Sequence, residues 1–304
     1  MLVQTTVAVG IKRYPRFLRC FPTLSSLARA SKDAVLKEWE GLGYYHRARH
    51  LHEAARIIRD RHHGAFPSSY SDIRALPGIG DYAAAAIVNF CFEGNVPPID
   101  TNVARVGARL FGIAGDVRSG GVRREVRHRL HGLMSVGRGA VWTDALIELG
   151  ALVCAPRHPL CPSCPLRSDC RAYRQGAVER FGLPPARPPQ RREVNVACGI
   201  IRRRDGRVLI AQRPEGGLLP GLWEFPGGKR QGNERISETC RREIQEELGI
   251  NVEMGERHMI LRHAYSHIGC QQFRWVRVAE MSRYAFPAAN RHIIAEIERP
   301  ENQP

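Results

Sequence analysis

Several features are scarce or missing in this chain of 304 residues, and each scarcity excludes a class of protein. No apolar run approaches the ~18 residues that a membrane span needs. The N-terminus lacks the basic segment and apolar stretch of a secretory signal. Acidic residues number 30 against 46 basic ones, of which four are lysine, so the formal net charge is +16. We therefore expect a cytoplasmic, nucleoid-associated bacterial protein without membrane contact, whose excess positive charge favours a polyanionic partner, nucleic acid first.

Proline marks a boundary between two halves of the chain. Four of the 20 prolines fall within residues 181–193, where they favour an extended chain over helix or sheet. Upstream, apolar spacing predicts three helices, over 33–40, 45–62 and 81–92. We expect a helical domain over 1–180, this Pro-rich linker, and an α+β domain over 194–304.

The predicted α+β domain has a different periodicity. Residues 194–201 and 207–212 are β-branched runs on either side of Asp205-Gly206, which is typical of a hairpin. Residues 237–248 then predict a helix that ends at Gly249. The first 180 residues hold 26 basic and 15 acidic side chains. We therefore expect the first half to contact the phosphate backbone.

Four of the nine cysteines lie in one short loop, residues 154–170. They are Cys154, Cys161, Cys164 and Cys170. Four thiolates on one loop suit an iron–sulfur cluster or a tetrahedral metal, and a structural zinc site is the alternative. Disulfides are disfavoured in a chain without a secretion signal. The spacing C-x6-C-x2-C-x5-C resembles the [4Fe-4S] loop of the endonuclease III superfamily of DNA glycosylases, which implies a [4Fe-4S] cluster here.

A glycine-rich turn, LPGIG, joins two predicted helices at residues 76–80. Gly78 and Gly80 allow a tight turn whose backbone N–H groups bind a phosphate without reading sequence. An ordinary helix–helix turn is the alternative. About 20 residues later Asp100 enters a predicted helix, where it is either an N-cap or a functional carboxylate. The order of LPGIG, Asp100 and the four cysteines is similar to that of the helix-hairpin-helix glycosylases.

Two further segments narrow this resemblance to one family. Residues 41–49, GLGYYHRAR, resemble GLGYYxRAR of the adenine glycosylase (MutY) family, and residues 1–7, MLVQTTV, resemble its MLQQTQV. The resemblance covers residues 1 to about 180. It implies a monomer that removes adenine mispaired with 8-oxoguanine or guanine in double-stranded DNA.

The resemblance also implies roles for individual residues. A base flipped out of the duplex leaves a gap that planar or amide side chains can fill, and flipping costs a few kcal/mol. The implied roles are Gln4 and Tyr44 in the base stack beside the lesion pair, Tyr82 in the pocket for adenine, Asn102 supporting the reacting centre, and Asp100 stabilising the cationic sugar. Of the neighbours Tyr44 and Tyr45, we expect one to be a core residue instead.

The C-terminal half carries a second motif. Residues 228–250 match the Nudix signature, GX5EX7REUXEEXGU, in full. On a helix Glu243, Glu246 and Glu247 share one side, and clustered carboxylates repel one another unless a divalent cation joins them. We therefore expect Mg²⁺ or Mn²⁺ at these three residues, with a solvated acidic helix as the alternative. Arg242 is expected to hold the loop around Glu234.

This half also resembles MutT, the 8-oxo-dGTP hydrolase, which implies lesion recognition. Residues 263–267, HAYSH, resemble the family's FSH loop, and residues 286–290, FPAAN, resemble the MutT segment whose Asn reads the oxidised purine. The implied lesion-reading residues are Tyr265, Ser266, His267 and Asn290. A strand core position for Tyr265 and a helix cap for Asn290 are the alternatives. The stretch from His267 to Asn290 is shorter than this fold leads us to expect, which predicts the loss of a strand or a ligand.

These observations predict a multidomain fold: an all-α helix-hairpin-helix glycosylase domain with a [4Fe-4S] loop, followed by an α+β Nudix-like domain. Three functions follow from them. The first is an adenine DNA glycosylase. The second is a Nudix pyrophosphatase acting on oxidised purine nucleotides such as 8-oxo-dGTP. The third is a mismatch-binding protein without catalysis.

The chain departs from the family at its first residue. The family places a glutamate, which protonates the departing adenine, two residues before the Met of MLQQTQV, and here that Met is Met1. Residues 1–32 contain no Asp or Glu that could replace it. We therefore expect either a gene start further upstream or an N-terminally truncated domain that binds the lesion duplex and excises adenine slowly.

An upstream-extended chain with glutamate two residues before Met1 should excise adenine about 10²–10⁴-fold faster, which is the usual contribution of a general acid. Single-turnover assays on a labelled A:8-oxoguanine duplex measure this rate, with the chain as printed as the matched control. Equal rates for the two chains would show that the acid lies elsewhere.

Overall fold

The structure, a computed structural model, describes residues 1, 5, 7–182, 195–214, 219–255 and 272–299. The chain divides into two compact units. The first unit joins Met1–Gly64 to Arg191–Pro304, and the second unit is Ala65–Gln190. One boundary, between Gln190 and Arg191, falls within the predicted linker, whereas Met1–Gly64 groups with the C-terminal segment and not with the rest of the predicted helical domain. The predicted domain boundaries along the sequence stay a prediction.

Four helices begin the first unit: α1 (Val7–Cys20), α2 (Leu24–Arg29), α3 (Lys32–Glu38) and α4 (His46–Arg61). The last two confirm the helices predicted over 33–40 and 45–62. Thr23 starts α2 because its side chain accepts the backbone N–H of Ser26. Trp39 and Leu36 are buried between these helices, and Leu222 from the C-terminal segment belongs to the same core.

Helices joined by loops make up the described residues of the second unit, and none of these residues forms a strand. Its helices are α5 (Tyr70–Ala75), α6 (Asp81–Cys91), α7 (Thr101–Phe111), α8 (Gly120–His131), α9 (Gly139–Glu148) and α10 (Arg171–Arg174). A π-helical turn, Leu149–Val153, continues α9 toward the cysteine loop. Buried residues of α7 and α8, among them Val103, Val106 and Val126, form its main core. The predicted helix over 81–92 is confirmed as α6.

The C-terminal segment contains both strands and helices. Its described elements are β1 (Val196–Cys198), β2 (Val208–Gln212), β3 (Trp223–Glu224), β4 (Gly227–Lys229), α11 (Ile236–Leu248), β5 (Gln272–Val276) and α12 (Ala288–Ile297). β1 pairs antiparallel with β4, and β2 lies between β3 and β5. The predicted helix over 237–248 is confirmed as α11, which ends where Gly249 adopts a left-handed φ of 68°.

The predicted hairpin at residues 205–206 is only partly right. The turn is present, and the Leu209 N–H donates to the Ile201 carbonyl across it at 3.0 Å. However, β1 pairs with β4 and not with β2. Packing explains the difference: Ala197 of β1 is buried against Ile244 of α11, whereas β2 contributes to a separate core. The two runs therefore belong to different sheets.

No helix in the described parts of the chain is long and apolar enough to cross a bilayer.

Gly107 allows the close approach of α7 and α8. A Cβ atom at this position would lie 2.3 Å from Cγ1 of Val126. Gly107→Ala should therefore lower the free energy of unfolding by about 1–3 kcal/mol through overpacking. Urea titration followed by circular dichroism measures the change. Gly121→Ala is the control, since a Cβ there meets nothing within 4 Å, and unchanged stability in Gly107→Ala would contradict the packing.

Candidate functional site

Asp100 begins α7 and is fixed by hydrogen bonds to both of its carboxylate oxygens. The Val103 N–H donates to Oδ1 at 2.7 Å, which makes Asp100 the N-cap. Nδ2 of Asn102 donates to Oδ2 at 3.2 Å. Asp100 is only partly buried, so the carboxylate is both oriented and accessible. The N-cap interpretation is therefore right, and it leaves room for a functional role.

Arg105, one turn further along α7, connects this helix start to the cysteine loop. Its side chain is buried, and Nη2 donates to Asn102 Oδ1 at 2.9 Å and to the Gly150 carbonyl at 2.6 Å. Nε donates to the Cys154 carbonyl at 2.7 Å. Burial lowers the pKa of Arg105, although an arginine remains charged. A Cβ at Gly150 would lie 2.8 Å from the Cβ of Asn102, so this approach needs glycine.

Arg109, four residues later, holds the start of the cysteine loop. Its side chain donates to the Ala155 carbonyl at 2.7 Å and to the Pro156 carbonyl at 2.9 Å. Nη1 also lies 3.4 Å from Sγ of Cys154. Arg105 and Arg109 were missed in the sequence. The available signal was two arginines, four residues apart, on the face of α7 that buries valine and alanine.

The four cysteines of the loop surround a single pocket. Its lining comprises Cys154, Cys161, Cys164 and Cys170 together with Arg109, Val153, Pro159, Arg167, Tyr173 and Val178. All four cysteines are free thiols. Burial, and then the neighbouring thiols Cys154 and Cys170, raise the pKa of Cys161. A positively charged group in the pocket would reverse that effect and stabilise the thiolates.

This donor set fits a cluster better than a single ion. Four thiolates around one pocket match the four iron atoms of a [4Fe-4S] cubane. A zinc ion instead requires its ligands to converge at about 2.3 Å from one point. Among the described residues, no group of three or more His, Cys, Asp or Glu side chains is placed to hold one metal ion.

Tyr82, on the first turn of α6, lies within electrostatic reach of Asp100. Burial raises the pKa of its phenol, and the charges of Asp100 and Asp144 raise it further. The hydroxyl therefore stays protonated at neutral pH and remains a hydrogen-bond donor. The structure brings Tyr82, Asp100 and Asn102 into one region of the second unit.

The hairpin between α5 and α6 has the expected open turn. Gly78 adopts a φ of 76°, which favours glycine, and Gly80 is the N-cap of α6. A Cβ at Gly80 would meet nothing within 4 Å. Asp81 follows, where its carboxylate accepts hydrogen bonds from Arg74 at 2.6 Å and Arg127 at 3.2 Å. The bond from Arg74 is the main reason that the pKa of Asp81 is lowered.

Tyr44 and Tyr45 have opposite environments, as expected. Tyr45 is buried, and its hydroxyl donates to the Phe286 carbonyl at 3.4 Å. Tyr44 is 52 % exposed and adopts a φ of 46°. This conformation costs on the order of 1–3 kcal/mol in a residue other than glycine and is often found at functional sites. Gln4 lies outside the described residues.

Arg242 holds the Nudix box together, as predicted. Nε donates to Oε1 of Glu234 at 2.7 Å, and Nη1 donates to Glu243 at 2.9 Å and Glu246 at 3.0 Å. The Gly227 N–H donates to Glu247 at 3.2 Å. The carboxylates of α11 therefore gather around a guanidinium and the start of β4. Mg²⁺ or Mn²⁺ at Glu243, Glu246 and Glu247 stays a prediction.

Asn290, on the first turn of α12, is buried in the C-terminal core. Its Oδ1 accepts the backbone N–H of Phe225 at 3.2 Å. The residue thus connects α12 to the segment between β3 and β4. Tyr265, Ser266 and His267 lie outside the described residues. Of the segment predicted to be short, residues 272–290 are described and contain β5 and the start of α12.

Comparisons with known proteins agree with this arrangement of motifs. Residues 1–131 match the HhH-GPD superfamily of base excision DNA repair proteins, and residues 197–296 match the NUDIX domain. The human adenine DNA glycosylase is 32 % identical over 314 residues, covering 88 % of this chain and 58 % of the human protein. The adenine DNA glycosylase of Buchnera aphidicola subsp. Acyrthosiphon pisum (strain APS) is 29 % identical over 88 % of this chain and 74 % of its own length.

Residues 1–131 therefore carry an HhH-GPD domain and residues 197–296 a NUDIX domain, and the chain as a whole is similar to adenine DNA glycosylases. It spans 58 %, 61 % and 52 % of the human, mouse and rat adenine DNA glycosylases that it matches. The predicted fold class is confirmed: a helical HhH-GPD domain precedes a small, sheet-containing NUDIX domain.

Solved structures agree with the HhH-GPD fold. A thermostable thymine-DNA glycosylase matches with a TM-score of 0.52 and 27 % identity, covering 57 % of this chain and 80 % of its own. A trapped endonuclease III–DNA covalent intermediate matches with a TM-score of 0.50 and 24 % identity, covering 58 % of this chain and 81 % of its own. The second likeness shows the fold alone.

The contact between Arg242 and Glu234 in the Nudix signature can be tested through the pKa of Glu234. Hydrogen bonds from Arg242, and next from the Gln231 N–H, lower the pKa of Glu234 to about 2 from an ordinary value of 4.5. Because the folded-state pKa is depressed, the pair stabilises the fold above about pH 4.5 and loses this effect as pH falls toward 2. In Arg242→Gln, the pKa of Glu234 should rise toward its ordinary value, while the hydrogen bonds from Gln231 and Thr239 still lower it. NMR titration of the carboxyl carbon measures this, and a Glu234 pKa still near 2 would contradict the assignment.

Proposed function

We propose that this chain is an adenine DNA glycosylase of base excision repair, which hydrolyses the N-glycosidic bond of adenine opposite 8-oxoguanine or guanine. The observation that carries the proposal is the fixed carboxylate of Asp100 at the start of α7, with Asn102 and Tyr82 beside it. The adenine DNA glycosylases that the chain resembles support the choice of base.

The geometry at Asp100 suits the departure of a base from its sugar. When the C1′–N9 bond of a flipped adenosine breaks, positive charge develops on the sugar. A carboxylate held by two hydrogen bonds needs no reorganisation to stabilise that charge, which is the property that makes preorganised electrostatics effective. Water then adds at C1′ to complete the hydrolysis. The resemblance implies that a glutamate protonates the departing adenine.

The other residues support binding of the mismatched duplex. The open turn at Gly78 and Gly80 offers backbone N–H groups to a phosphate. Tyr44 is exposed, with a guanidinium carbon of Arg47 5.8 Å from its ring centroid, and is free to enter a base stack. For the NUDIX domain we assign recognition of the oxidised base to Tyr265, Ser266, His267 and Asn290. The assembly is a monomer on double-stranded DNA.

In the upstream-extended chain, which carries the glutamate, Asp100→Asn should reduce single-turnover excision by about 10²–10³-fold, because the amide still caps α7 but carries no charge. Binding to an A:8-oxoguanine duplex should be retained. Asp144→Asn is the matched control: it removes the charge of an exposed carboxylate that also influences Tyr82, and its excision rate should stay within a few-fold of the wild type. Equal losses in the two variants would refute the assignment of Asp100.

We further propose that Cys154, Cys161, Cys164 and Cys170 hold a [4Fe-4S] cluster. The cluster supplies a rigid, charged cross-link of the loop and takes no part in hydrolysis. Burial raises the pKa of Cys161, and bonding to iron would stabilise its thiolate form.

Protein purified without oxygen should contain about four irons per chain. Cys161→Ser should lower iron content, whereas Cys91→Ser, the control at an exposed cysteine of α6, should not. Iron analysis and visible absorption measure both. Stoichiometric zinc without visible absorption would overturn this part of the proposal.

A further inference from the structure

Helix α8 presents an unusually basic surface to solvent. It contains four arginines and two histidines but one acidic residue, Glu125, which accepts a 2.7 Å hydrogen bond from Arg129. Arg124, His128 and His131 are all exposed and share one side of the helix because they are four and three residues apart. Arg127 lies at the edge of the same side. These four residues are called the α8 stripe.

The apolar side of α8 is already buried. Val122, Val126 and Leu130 pack into the core of the second unit. The stripe therefore faces away from the core with no apolar anchor among its residues. A helix that lies on a membrane instead needs an exposed apolar face. This composition favours a hydrophilic polyanion over a lipid surface.

Hydrogen bonds place α8 beside the N-terminal ends of α6 and α7. Nη2 of Arg127 donates to Asp81, the residue that follows the phosphate-binding turn, at 3.2 Å. Nη2 of Arg123 lies 3.4 Å from the hydroxyl of Thr101, the residue that follows Asp100. The basic helix is thus continuous with both the hairpin and the start of α7.

The ion pair at the hairpin explains how an acidic residue is tolerated there. The carboxylate of Asp81 would repel a phosphate bound to the turn, but Arg74 and Arg127 both contact it. Two guanidinium groups around one carboxylate leave a net positive charge. Arg127 Nε is also buried and has no hydrogen-bond partner among the described residues. The local field around the turn therefore attracts an anion.

We propose that the α8 stripe binds the phosphodiester backbone of duplex DNA. It would extend the phosphate-binding surface that begins at the turn between α5 and α6. This inference rests on the proposed function, since it assumes a DNA substrate, and it adds a second backbone-binding element to the hairpin. The contacts are independent of sequence and lesion, because guanidinium groups and imidazole N–H groups recognise the phosphates alone.

The test is the salt dependence of binding to an undamaged duplex. Each phosphate contact contributes a slope of about −0.9 to log K against log[salt] for B-form DNA. The slope of Arg124→Gln should be shallower than wild type by about 0.9. Circular dichroism of each variant checks that α8 remains folded.

Arg129→Gln is the matched control. It removes the same charge from the same helix, but Arg129 points to the other side, where it pairs with Glu125 and lies over the Phe111 ring at 5.7 Å. Its slope should equal that of the wild type. Equal slopes for Arg124→Gln and Arg129→Gln would overturn the inference, because net charge alone would then explain the binding.

Two further measurements distinguish this inference from a lipid-binding surface and from the proposed function. Binding to phosphatidylserine vesicles that is lost in Arg124→Gln, with an unchanged DNA slope, would overturn it in favour of a lipid surface. Adenine excision is followed in the same preparations at saturating duplex. A shallower slope without any excision by the upstream-extended chain supports the stripe and contradicts the proposed function, whereas excision with unaltered slopes does the reverse.

Discussion

A buried guanidinium on α7 is the interaction on which the candidate site depends. Arg105 donates to the side chain of Asn102 and to the carbonyls of Gly150 and Cys154. Removing a buried donor leaves its acceptors unsatisfied at about 1–3 kcal/mol each. The side chain that supports Asp100 therefore depends on a backbone segment about 50 residues further along the chain, and the cysteine loop has a structural reason to lie next to α7.

The NUDIX domain uses a guanidinium in a similar way. Arg242 gathers Glu234, Glu243 and Glu246, and it also donates to the Lys229 carbonyl at 3.0 Å. Unlike Arg105, this arginine belongs to a recognisable signature. Its partners are charged and lie near the surface, so the arrangement orders a loop and a helix at low cost of desolvation. In both units, a fixed arginine on a helix also binds a segment outside that helix.

The sequence predicted features that depend on local chemistry. The α11 boundaries, the glycine turn and the Asp100 cap follow from helix periodicity and capping, which act within a few residues. The pairing of β1 with β4 could not be predicted, because it depends on how Ala197 packs against α11. Arg105 and Arg109 were missed for a related reason: charged residues are almost never buried without partners, and their partners are backbone carbonyls that no sequence pattern marks.

The most direct test of this account is amide hydrogen exchange at Val103 in Arg105→Gln. The Val103 N–H donates to Asp100, whereas the Ala84 N–H, which donates to the Gly80 carbonyl in α6, reports on the same unit away from Arg105. If Arg105 fixes the start of α7, exchange at Val103 should accelerate much more than exchange at Ala84 relative to the wild type. Equal acceleration at the two amides, or no change at Val103, would contradict the account.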